Sequence, residues 1–507
     1  MKRICIIVLA LACTWSGVTH VHAEDTEAFD VYKLNVAGKL LQHWVEDLNH
    51  DGLKDIFVVH RKGLQPDETR WVSVFWQTPE SGFATAADQS WEMDAEAAVL
   101  DIGDVSGDYQ KEICYMTSSS VRYYPIGETA YETESVHLLD AQGLAVYPSM
   151  RHLPMINFVR DWNGDGQDEV AIASFEGLSI YSRGEDGVFS PLEKVVVKIE
   201  TRLSRVESNG RHGSTVGLDA TYTFPTLQLI DYNNDGLPDL IATSGDRVYV
   251  YLQQPDGTYT STPSTERLFD VLTQKEKIEA YAEIETLIED LNQDGYADAV
   301  ISKQTVKGLT SFRSVVSIYW GGPDGYPEEP DQMIISEGTA SAGARFLDVN
   351  GDSRKDLVLP SIKFSITAII RILMTRSIKV YFNIFLLNED DRLSERPDYT
   401  KEVKFKIDLS GESDDQALDL EGDYNGDKRT DFVFATGKEE LSVYLGEGSG
   451  GNRLFTKKPL AKVSADAYGE LSSHDLNDDG FYDMLIYYPE NKKLKGTLQV
   501  LINRGSW

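Results

Sequence analysis

Cysteine is almost missing from this sequence. Only three cysteines occur among 507 residues, and two of them, Cys5 and Cys13, lie within the first 23. If those 23 residues are removed, Cys114 has no intrachain partner, so a disulfide framework is excluded. An exported chain without disulfides needs another kind of cross-link, and we expect bound metal ions to supply it.

Positive charge is also scarce. The chain has 48 lysines and arginines against 82 aspartates and glutamates, which gives a net charge of −34. This balance argues against a nucleic-acid partner, because phosphates are bound by clustered Lys and Arg side chains. An excess of carboxylates suits a protein that binds cations.

The first 23 residues have the pattern of a secretory signal peptide. Lys2 and Arg3 precede the apolar residues 4–12, and residues 21–23 form a small-residue cleavage site. The apolar run is too short to cross a bilayer, so no transmembrane span is predicted. The sequence thus predicts an exported protein (periplasmic, cell-surface or secreted) whose domain occupies residues 24–507. The alternative is a lipoprotein anchored at Cys13.

Recognised catalytic motifs are lacking as well. The sequence has no Gly-x-Ser-x-Gly motif, no Cys/His metal spacing and no glycine-rich phosphate loop, and its nine histidines are scattered. We therefore predict no catalytic residue and no organic cofactor. A scaffold is favoured over an enzyme, although the sequence leaves an activity open.

What the chain does contain is a nine-residue pattern that recurs eight times. Each copy has acidic residues at positions one, five and nine, and position three is Asn in seven copies and Ser106 in the second. Position six is Gly in five copies. The copies start at residues 47, 104, 161, 231, 290, 348, 423 and 475.

This pattern predicts a calcium-binding loop. Three carboxylates in nine residues repel one another unless a cation lies between them, and Ca²⁺ takes six to eight oxygen ligands. Glycine at position six suits a sharp turn, because it adopts positive φ without a Cβ penalty. We expect up to eight Ca²⁺ ions, with candidate ligands at Asp47, Asn49, Asp51, Asp55, Asp104, Asp108, Glu112, Asp161, Asn163, Asp165, Glu169, Asp231, Asn233, Asp235, Asp239, Asp290, Asn292, Asp294, Asp298, Asp348, Asn350, Asp352, Asp356, Asp423, Asn425, Asp427, Asp431, Asp475, Asn477, Asp479 and Asp483.

The residues around the loops predict an all-β fold. A short apolar run such as residues 56–59 follows each loop, and a second run with alternating aromatic and aliphatic residues follows the first. Four-stranded antiparallel units of this length, repeated seven or more times, are typical of a β-propeller. We predict eight blades, with seven blades and one degenerate unit as the alternative. Because the last unit lacks an outer strand, residues 31–36 are expected to supply it and so to close the ring.

Two long spacings mark insertions. The first, about 191–226, contains an extended stretch at 195–199 and then a polar run with Arg202, Arg205, Arg211 and His212. The second, about 362–387, has Ile362, Ile366, Ile369, Ile370 and Leu373 at helical spacing, with Lys363, Arg371 and Arg376 between them. We expect a helix on the propeller rim whose apolar face packs on neighbouring blades. The alternative is a surface that contacts a partner or an anionic membrane.

The pattern Asp-x-Asn-x-Asp-Gly-x-x-Asp followed by an apolar strand resembles the FG-GAP/VCBS-type repeats of integrin α-subunit propellers and of many bacterial exported proteins. The resemblance covers nearly all of residues 24–507. It implies a propeller in which the side chains at positions one, three, five and nine, with the carbonyl at seven, bind Ca²⁺. An integrin-like adhesion role is not implied, because the Phe-Gly and Gly-Ala-Pro words are absent.

Three copies depart from the pattern at position six, where Tyr109, Ser353 and Lys428 replace glycine. A left-handed backbone costs a non-glycine residue about 1 kcal/mol. Lys428 also brings a cation beside the expected metal. We therefore expect the second and seventh loops to bind Ca²⁺ most weakly.

Two classes of function are consistent with this sequence. The first is a non-catalytic propeller that binds a protein or a glycan at the cell envelope or outside the cell. The second is a carbohydrate-active enzyme such as a polysaccharide lyase, which some eight-bladed calcium propellers are. A lyase needs basic residues clustered over the channel, and the run from Arg202 to His212 is the candidate. Because a fold alone assigns no reaction, binding is favoured.

Overall fold

The computed structural model describes residues 28–506 except 65, 80, 128–129, 141–142, 144–147, 151–152, 211–212, 280–281, 308–310, 338, 342, 364, 407–417, 438, 449–452 and 490. The predicted signal peptide and Cys13 lie outside the described residues. The chain forms eight four-stranded antiparallel blades in a propeller arrangement, so the prediction of an all-β propeller with eight blades is confirmed.

The first four blades follow one another in chain order. Blade one contains β2 (Lys39–Glu46), β3 (Asp55–Lys62), β4 (Thr69–Phe75) and β5 (Gln89–Glu92). Blade two contains β6 (Val99–Gly103), β7 (Glu112–Met116), β8 (Ser120–Tyr124) and β9 (Val136–Asp140). Blade three contains β10 (Val159–Arg160), β11 (Glu169–Ser174), β12 (Gly177–Arg183) and β13 (Phe189–Val195). Blade four contains β16 (Thr226–Ile230), β17 (Asp239–Ser244), β18 (Arg247–Tyr251) and β19 (Thr265–Leu268).

The other four blades complete the ring. Blade five contains β20 (Ala282–Glu289), β21 (Asp298–Lys307), β22 (Ser311–Tyr319) and β23 (Gln332–Glu337). Blade six contains β25 (Arg345–Leu347), β26 (Asp356–Lys363), β27 (Ser377–Phe385) and β28 (Tyr399–Lys406), with a short extra strand β24 (Thr339–Ser341). Blade seven contains β29 (Leu418–Asp419), β30 (Phe432–Gly437), β31 (Glu440–Tyr444) and β32 (Ala461–Ser464). Blade eight contains β33 (Glu470–His474), β34 (Asp483–Tyr487), β35 (Thr497–Asn503) and the N-terminal β1 (Phe29–Asn35).

Pairing of the two chain ends closes the ring, as predicted. β1 pairs antiparallel with β35 from Phe29 opposite Asn503 to Asn35 opposite Thr497. The Lys54 amide of blade one donates to the Leu476 carbonyl of blade eight at 2.9 Å. Both ends of the sheet series are thereby paired, which removes the open edges that a linear array would present.

The apolar core lies between the blades rather than at one centre. Among the described residues, eight clusters of buried side chains are found, and each joins two neighbouring blades. In one of them Ile56 and Val58 of blade one pack with Leu485 and Val500 of blade eight. The second strands carry this packing because they are buried on both faces, which explains their unbroken apolar runs. Cys114 is a buried free thiol in the cluster between blades two and three.

The antiparallel order of the blades gives the ring two different faces. The eight acidic loops join first strands to second strands, so they all lie on one face, here called the loop face. Turns between second and third strands, and connections from one blade to the next, lie on the opposite face. That face carries the hairpin of β14 (Glu200–Gly210) and β15 (Gly213–Thr223), the helix α1 (Gln274–Glu279) and the helix α2 (Ile366–Thr375).

Both predicted insertions differ from expectation. The stretch at 195–199 is not a strand of its own, because β13 ends at Val195 and residues 196–199, which precede the β14–β15 hairpin, belong to no strand. In the second insertion only Ile366–Thr375 is helical, and Ile362 belongs to β26. The expectation that the apolar face of the helix packs on neighbouring blades was wrong for Ile370 and Leu373, which are 51% and 62% exposed. The side chains of Ile366 and Ile369 lie outside the described part of the structure. Met374, beside this face, is 80% exposed. Within the described residues, no helix is long and apolar enough to cross a membrane.

A buried histidine makes the fold sensitive to acid. His60 on β3 is 1% exposed; its Nδ1 lies 2.9 Å from the Ala37 carbonyl and its Nε2 lies 2.8 Å from Ser73 Oγ. Burial, with a smaller contribution from Lys62, lowers the pKa of His60 to about 4, although the bond to Ala37 opposes the shift. In the unfolded chain the pKa is about 6.5, so as the pH falls from 6.5 to 4 only the unfolded state gains this proton.

We expect His60→Gln to be less stable than the parent at pH 7. Its deficit in unfolding free energy should shrink by roughly 3 kcal/mol between pH 7 and pH 4, because the parent loses that much stability through His60. Urea denaturation of both proteins across this range measures the difference. His137→Gln, at an exposed position on β9, is the control. A deficit that stays constant with pH would contradict the assignment.

Candidate metal loops and an interblade cavity

The eight loops share one internal network of hydrogen bonds. At position one, one carboxylate oxygen accepts from the amide of position five and the other from the amide of position six, in all eight copies. In the fifth loop these distances are 3.3 Å from Asp290 Oδ1 to the Asp294 amide and 3.0 Å from Asp290 Oδ2 to the Gly295 amide. At position five, the carboxylate accepts from the amide of position seven, as Asp294 does from Tyr296 at 2.9 Å.

Position three completes the network. In all seven asparagine copies the amide nitrogen donates to the carboxylate of position five, at 2.9–3.1 Å. In six of these the asparagine oxygen also accepts from the amide of position five. The exception is Asn477, whose Oδ1 is buried and has no hydrogen-bond partner within the described residues.

Position nine has a second role that the sequence did not reveal. The residue at position nine begins or directly precedes the second strand, and it is at most 2% exposed in every copy. Its carboxylate accepts a hydrogen bond from the amide of position two. In the six aspartate copies the other oxygen accepts an amide at or just beyond the end of the third strand, as Asp298 does from Gly321 at 2.8 Å. In the two glutamate copies, Glu112 and Glu169, the oxygen that accepts from the amide of position two also accepts from the amide of position three.

Burial at position nine raises the pKa of the carboxylates. For Asp298 burial is the largest cause, the amides of Gly321 and Leu291 oppose it, and the charges of Asp294 and Asp290 add to it, so that the pKa rises to about 7. The pKa of the other position-nine groups is also raised, to about 6 for Asp239 and about 7 for the rest. Repulsion from positions one and five shows that the carboxylates of a loop influence one another.

The donor set of the loops fits a hard cation, although no closed metal site is formed. Positions one, three, five and nine offer only carboxylate, amide or hydroxyl oxygens, and the unpartnered Asn477 Oδ1 is an acceptor without a donor. In the described part of the chain, no group of three or more His, Cys, Asp or Glu side chains is arranged to hold a metal ion. The carboxylate oxygens instead accept backbone amides. The calcium assignment therefore stays a prediction.

Each loop contains two left-handed residues, of which only one was expected. Position six has positive φ in every copy, including Tyr109, Ser353 and Lys428 at 71°, 72° and 65°. Position four is left-handed as well, for example Asn234 at 60° and Gln293 at 62°. The three loops without glycine at position six all have glycine at position four, namely Gly107, Gly351 and Gly426. Every loop thus has at least one glycine where the backbone is left-handed, which limits the strain.

In the seventh loop a cation already faces a candidate ligand. Arg429 at position seven places Nη1 3.4 Å from Asp427 Oδ2. The sequence pointed to Lys428 as the competing charge, whereas the structure shows the neighbouring arginine in contact with the carboxylate. This contact adds to the expectation that the seventh loop binds Ca²⁺ weakly.

The basic run of the first insertion lies on the β14–β15 hairpin. Arg202 and Arg205 belong to β14, while Arg211 and His212 lie outside the described residues. The lyase alternative, which requires these four side chains to gather over a channel, therefore stays an alternative.

A cavity of about 540 Å³ lies between the inner parts of blades three and four, at the base of the β14–β15 hairpin. It exists where the first strand of blade three is reduced to Val159–Arg160. Its lining is mostly apolar and aromatic, and includes Met116, Phe158, Trp162, Leu178, Phe224 and Leu227. Sequence reasoning missed this cavity; the wide spacing before the fourth loop was the only signal.

One cation lines this cavity. The Arg160 guanidinium lies 5.3 Å from the Trp162 ring, and no carboxylate in the described part of the chain pairs with it. Pockets of a few hundred cubic ångströms with apolar walls and few polar groups are the usual shape of a binding site. The cavity can thus accept an apolar group that carries or adjoins a negative charge.

Comparison with known proteins agrees with the repeat pattern. Residues 231–274, 290–359 and 423–486 match the FG-GAP-like repeat family, and these segments contain the fourth to eighth loops. The T-cell immunomodulatory protein homolog of Plasmodium yoelii yoelii is 23% identical to this chain over 492 residues. That alignment covers 84% of this chain and 66% of the relative, so the chain spans about two thirds of the relative's length.

Similar solved structures include Sqt1 from Chaetomium thermophilum, with 10% identity, a TM-score of 0.41, and coverage of 94% of this chain and 99% of Sqt1. The V. cholerae biofilm matrix protein Bap1 has 10% identity and a TM-score of 0.30, with coverage of 97% of this chain and 90% of Bap1.

The left-handed conformation at position six predicts how a glycine-to-alanine substitution there changes the free energy of unfolding. In Gly236→Ala the added Cβ meets nothing within 4 Å, so only the backbone conformation at φ 85° opposes it. We expect a loss of about 1 kcal/mol of unfolding free energy, measured by urea denaturation in the presence of a chelator. Gly322→Ala, where the space is equally open and φ is not positive, is the matched control. Equal effects of the two substitutions would contradict this account of the loop.

Proposed function

Since this chain is an eight-bladed β-propeller that carries FG-GAP-like repeats, we propose that it is a non-catalytic, calcium-stabilised module that binds a protein at the cell envelope or outside the cell. The observation that carries this proposal is the cavity of about 540 Å³ beside the β14–β15 hairpin. The Plasmodium relative is named for immunomodulation, which suits a protein that acts by binding.

The surroundings of the cavity favour a protein ligand. Phe175 and Tyr222, which are 64% and 50% exposed, form an edge-to-face pair with ring centroids 4.9 Å apart. Phe175 lies in the turn between β11 and β12, and Tyr222 lies near the end of β15. Exposed aromatic side chains beside a partly apolar cavity are typical of the anchoring part of a protein interface. We propose that a partner inserts an apolar side chain into the cavity and places an acidic group near Arg160.

Photo-crosslinking tests where the partner binds. A benzoylphenylalanine at Tyr222 should crosslink to a protein from an envelope fraction, whereas the same group at Tyr109, 68% exposed on the loop face, should not. Ala173→Trp, which fills the cavity, should abolish the product at Tyr222. Crosslinking from Tyr109 alone, or a product at Tyr222 that survives Ala173→Trp, would contradict the proposed site. Binding on a glycan array that Ala173→Trp removes would identify a glycan as the ligand.

We propose that calcium stabilises the ring without taking part in binding. The ligands would come from positions one, three, five and nine of each loop, with the eighth loop favoured by its unpartnered Asn477 Oδ1. Bound Ca²⁺ would supply positive charge between carboxylates that otherwise repel one another. The loops lie on the face opposite the β14–β15 hairpin, which separates this stabilising role from the proposed binding surface.

The melting temperature should rise by several degrees or more when millimolar Ca²⁺ replaces EDTA. A ligand that binds only the folded state adds about 2.7 kcal/mol per site at one hundred times its dissociation constant. Mg²⁺ at the same concentration should have a much smaller effect, because it demands near-ideal octahedral geometry and dehydrates reluctantly. Differential scanning calorimetry measures both shifts, and an unchanged melting temperature in Ca²⁺ would rule out the proposal.

Two matched substitutions test the ranking of the loops. Asp479→Asn in the eighth loop should remove more of the Ca²⁺-dependent shift than Asp427→Asn in the seventh, where Arg429 already contacts the carboxylate. The opposite order would contradict the ranking while leaving calcium binding itself intact.

A further inference from the structure

The helix α2 presents an apolar face that nothing in the described part of the chain covers. Ile370, Leu373 and Met374 lie three and four positions apart, so they share one side of the helix, and they are 51%, 62% and 80% exposed. Ala368 and Ile372 lie on the other side, toward the β26–β27 hairpin, where a small cavity of about 150 Å³ remains. Arg371 lies at the edge of this cavity and is still exposed to solvent. The exposed side therefore points away from the ring.

The ends of this helix are well defined. Ser365 caps the N-terminus, with its Oγ accepting from the Ala368 amide at 3.1 Å. Arg376 ends the helix in a left-handed conformation, and its amide donates to the Ile372 carbonyl at 2.8 Å. Capping at both ends stabilises the helix, which would otherwise rely on packing along only one of its sides.

The segment of the chain that contains α2 is positively charged, unlike the chain as a whole. Residues 357–388 contain no Asp or Glu, but include Lys363, Arg371, Arg376 and Lys379, in a chain with a net charge of −34. Lys379 is paired with Glu402 at 2.6 Å, and Lys363 lies 4.6 Å from the Tyr381 ring. Arg371 and Arg376 are exposed and, among the described residues, have no ion-pair partner.

We propose that α2 is a docking element for an anionic phospholipid surface. Ile370, Leu373 and Met374 would insert at the boundary between headgroups and acyl chains, while Arg371 and Arg376 would contact lipid phosphates. A protein groove would accept the apolar side chains, but it gives no reason for an acid-free stretch within an acidic chain. Charge complementarity with an anionic bilayer accounts for both features.

The acidic remainder of the chain does not prevent this contact. At physiological ionic strength charges are largely screened beyond about 8 Å, whereas a ten-residue helix is about 15 Å long. Carboxylates that lie further than this from the bilayer repel it little. The loop face is opposite to the face that carries α2, so its carboxylates are among the distant charges. This inference does not depend on the proposed protein-binding function.

Vesicle cosedimentation in millimolar Ca²⁺ tests the proposal. The full chain should bind vesicles of phosphatidylcholine with 30% phosphatidylglycerol at least about tenfold more tightly than pure phosphatidylcholine vesicles. The variant Ile370→Ser, Leu373→Ser, Met374→Ser should bind the anionic vesicles at least about tenfold more weakly, and so should Arg371→Gln, Arg376→Gln. Circular dichroism and the melting temperature establish that each variant is folded.

A second variant separates α2 from exposed apolar residues in general. Met333→Ser, Ile335→Ser removes side chains that are 53% and 48% exposed on β23 of blade five, and it should bind as the parent does. Equal binding to neutral and anionic vesicles would overturn the proposal. So would anionic binding that survives the triple serine variant, because the contact would then be made elsewhere, for example by Ca²⁺ held between the acidic loops and lipid phosphates.

Discussion

The buried carboxylate at position nine is the interaction on which each blade depends. One oxygen binds the amide of position two, and in six blades the other binds an amide at the end of the third strand. The loop, the second strand and the third strand are thus tied together at a single residue. Burying this charge is unfavourable, as the raised pKa of Asp298 shows, and the two amides offset part of the cost. The loop would therefore remain a structural element of the blade with or without a bound cation.

The same loops also connect neighbouring blades. The Lys111 amide donates to the Leu48 carbonyl, the Lys355 amide to the Leu291 carbonyl, and the Tyr482 amide to the Asp423 carbonyl, each at 2.9 Å. These bonds run along the loop face, whereas apolar side chains fill the space between the sheets behind it. One face is consequently uniform and acidic, while the other carries the long hairpin and both helices. A binding site that needs a particular set of side chains is therefore more readily built on the face that carries the hairpin and the helices.

Much of this architecture could be predicted from the sequence, because the spacing of acidic, glycine and apolar residues in each repeat indicates which of them form the loop and which form the strands. The alternation of apolar residues after Asp55 or Asp483 predicts second and third strands, and the missing eighth outer strand predicts pairing with the N-terminus. The bond from the position-nine carboxylate to the third strand was not predictable. In blade five Asp298 accepts from the amide of Gly321, which lies 23 positions further along the chain and comes close only when the blade has folded. The left-handed conformation at position four was missed since Asn234 and Gln293 carry no glycine signal. The exposure of Leu373 could not be predicted, because it depends on which side of α2 packs against the β26–β27 hairpin. Helical periodicity shows which residues share a side but not which side is buried.

Because β1 closes the ring, folding of blade eight can be completed only after synthesis of the last strand. The ion pair between Arg504 and Asp30 joins residues 474 positions apart, and β1 finds its partner only in the last strand of the chain. At about 5–20 residues per second, synthesis of the intervening segment takes tens of seconds. During that time blade eight cannot form, and β1, with its apolar residues Leu34 and Phe29, has no sheet to join. Topology thus delays completion of blade eight until the last strand has been synthesised, and β1 lacks its sheet partner until then.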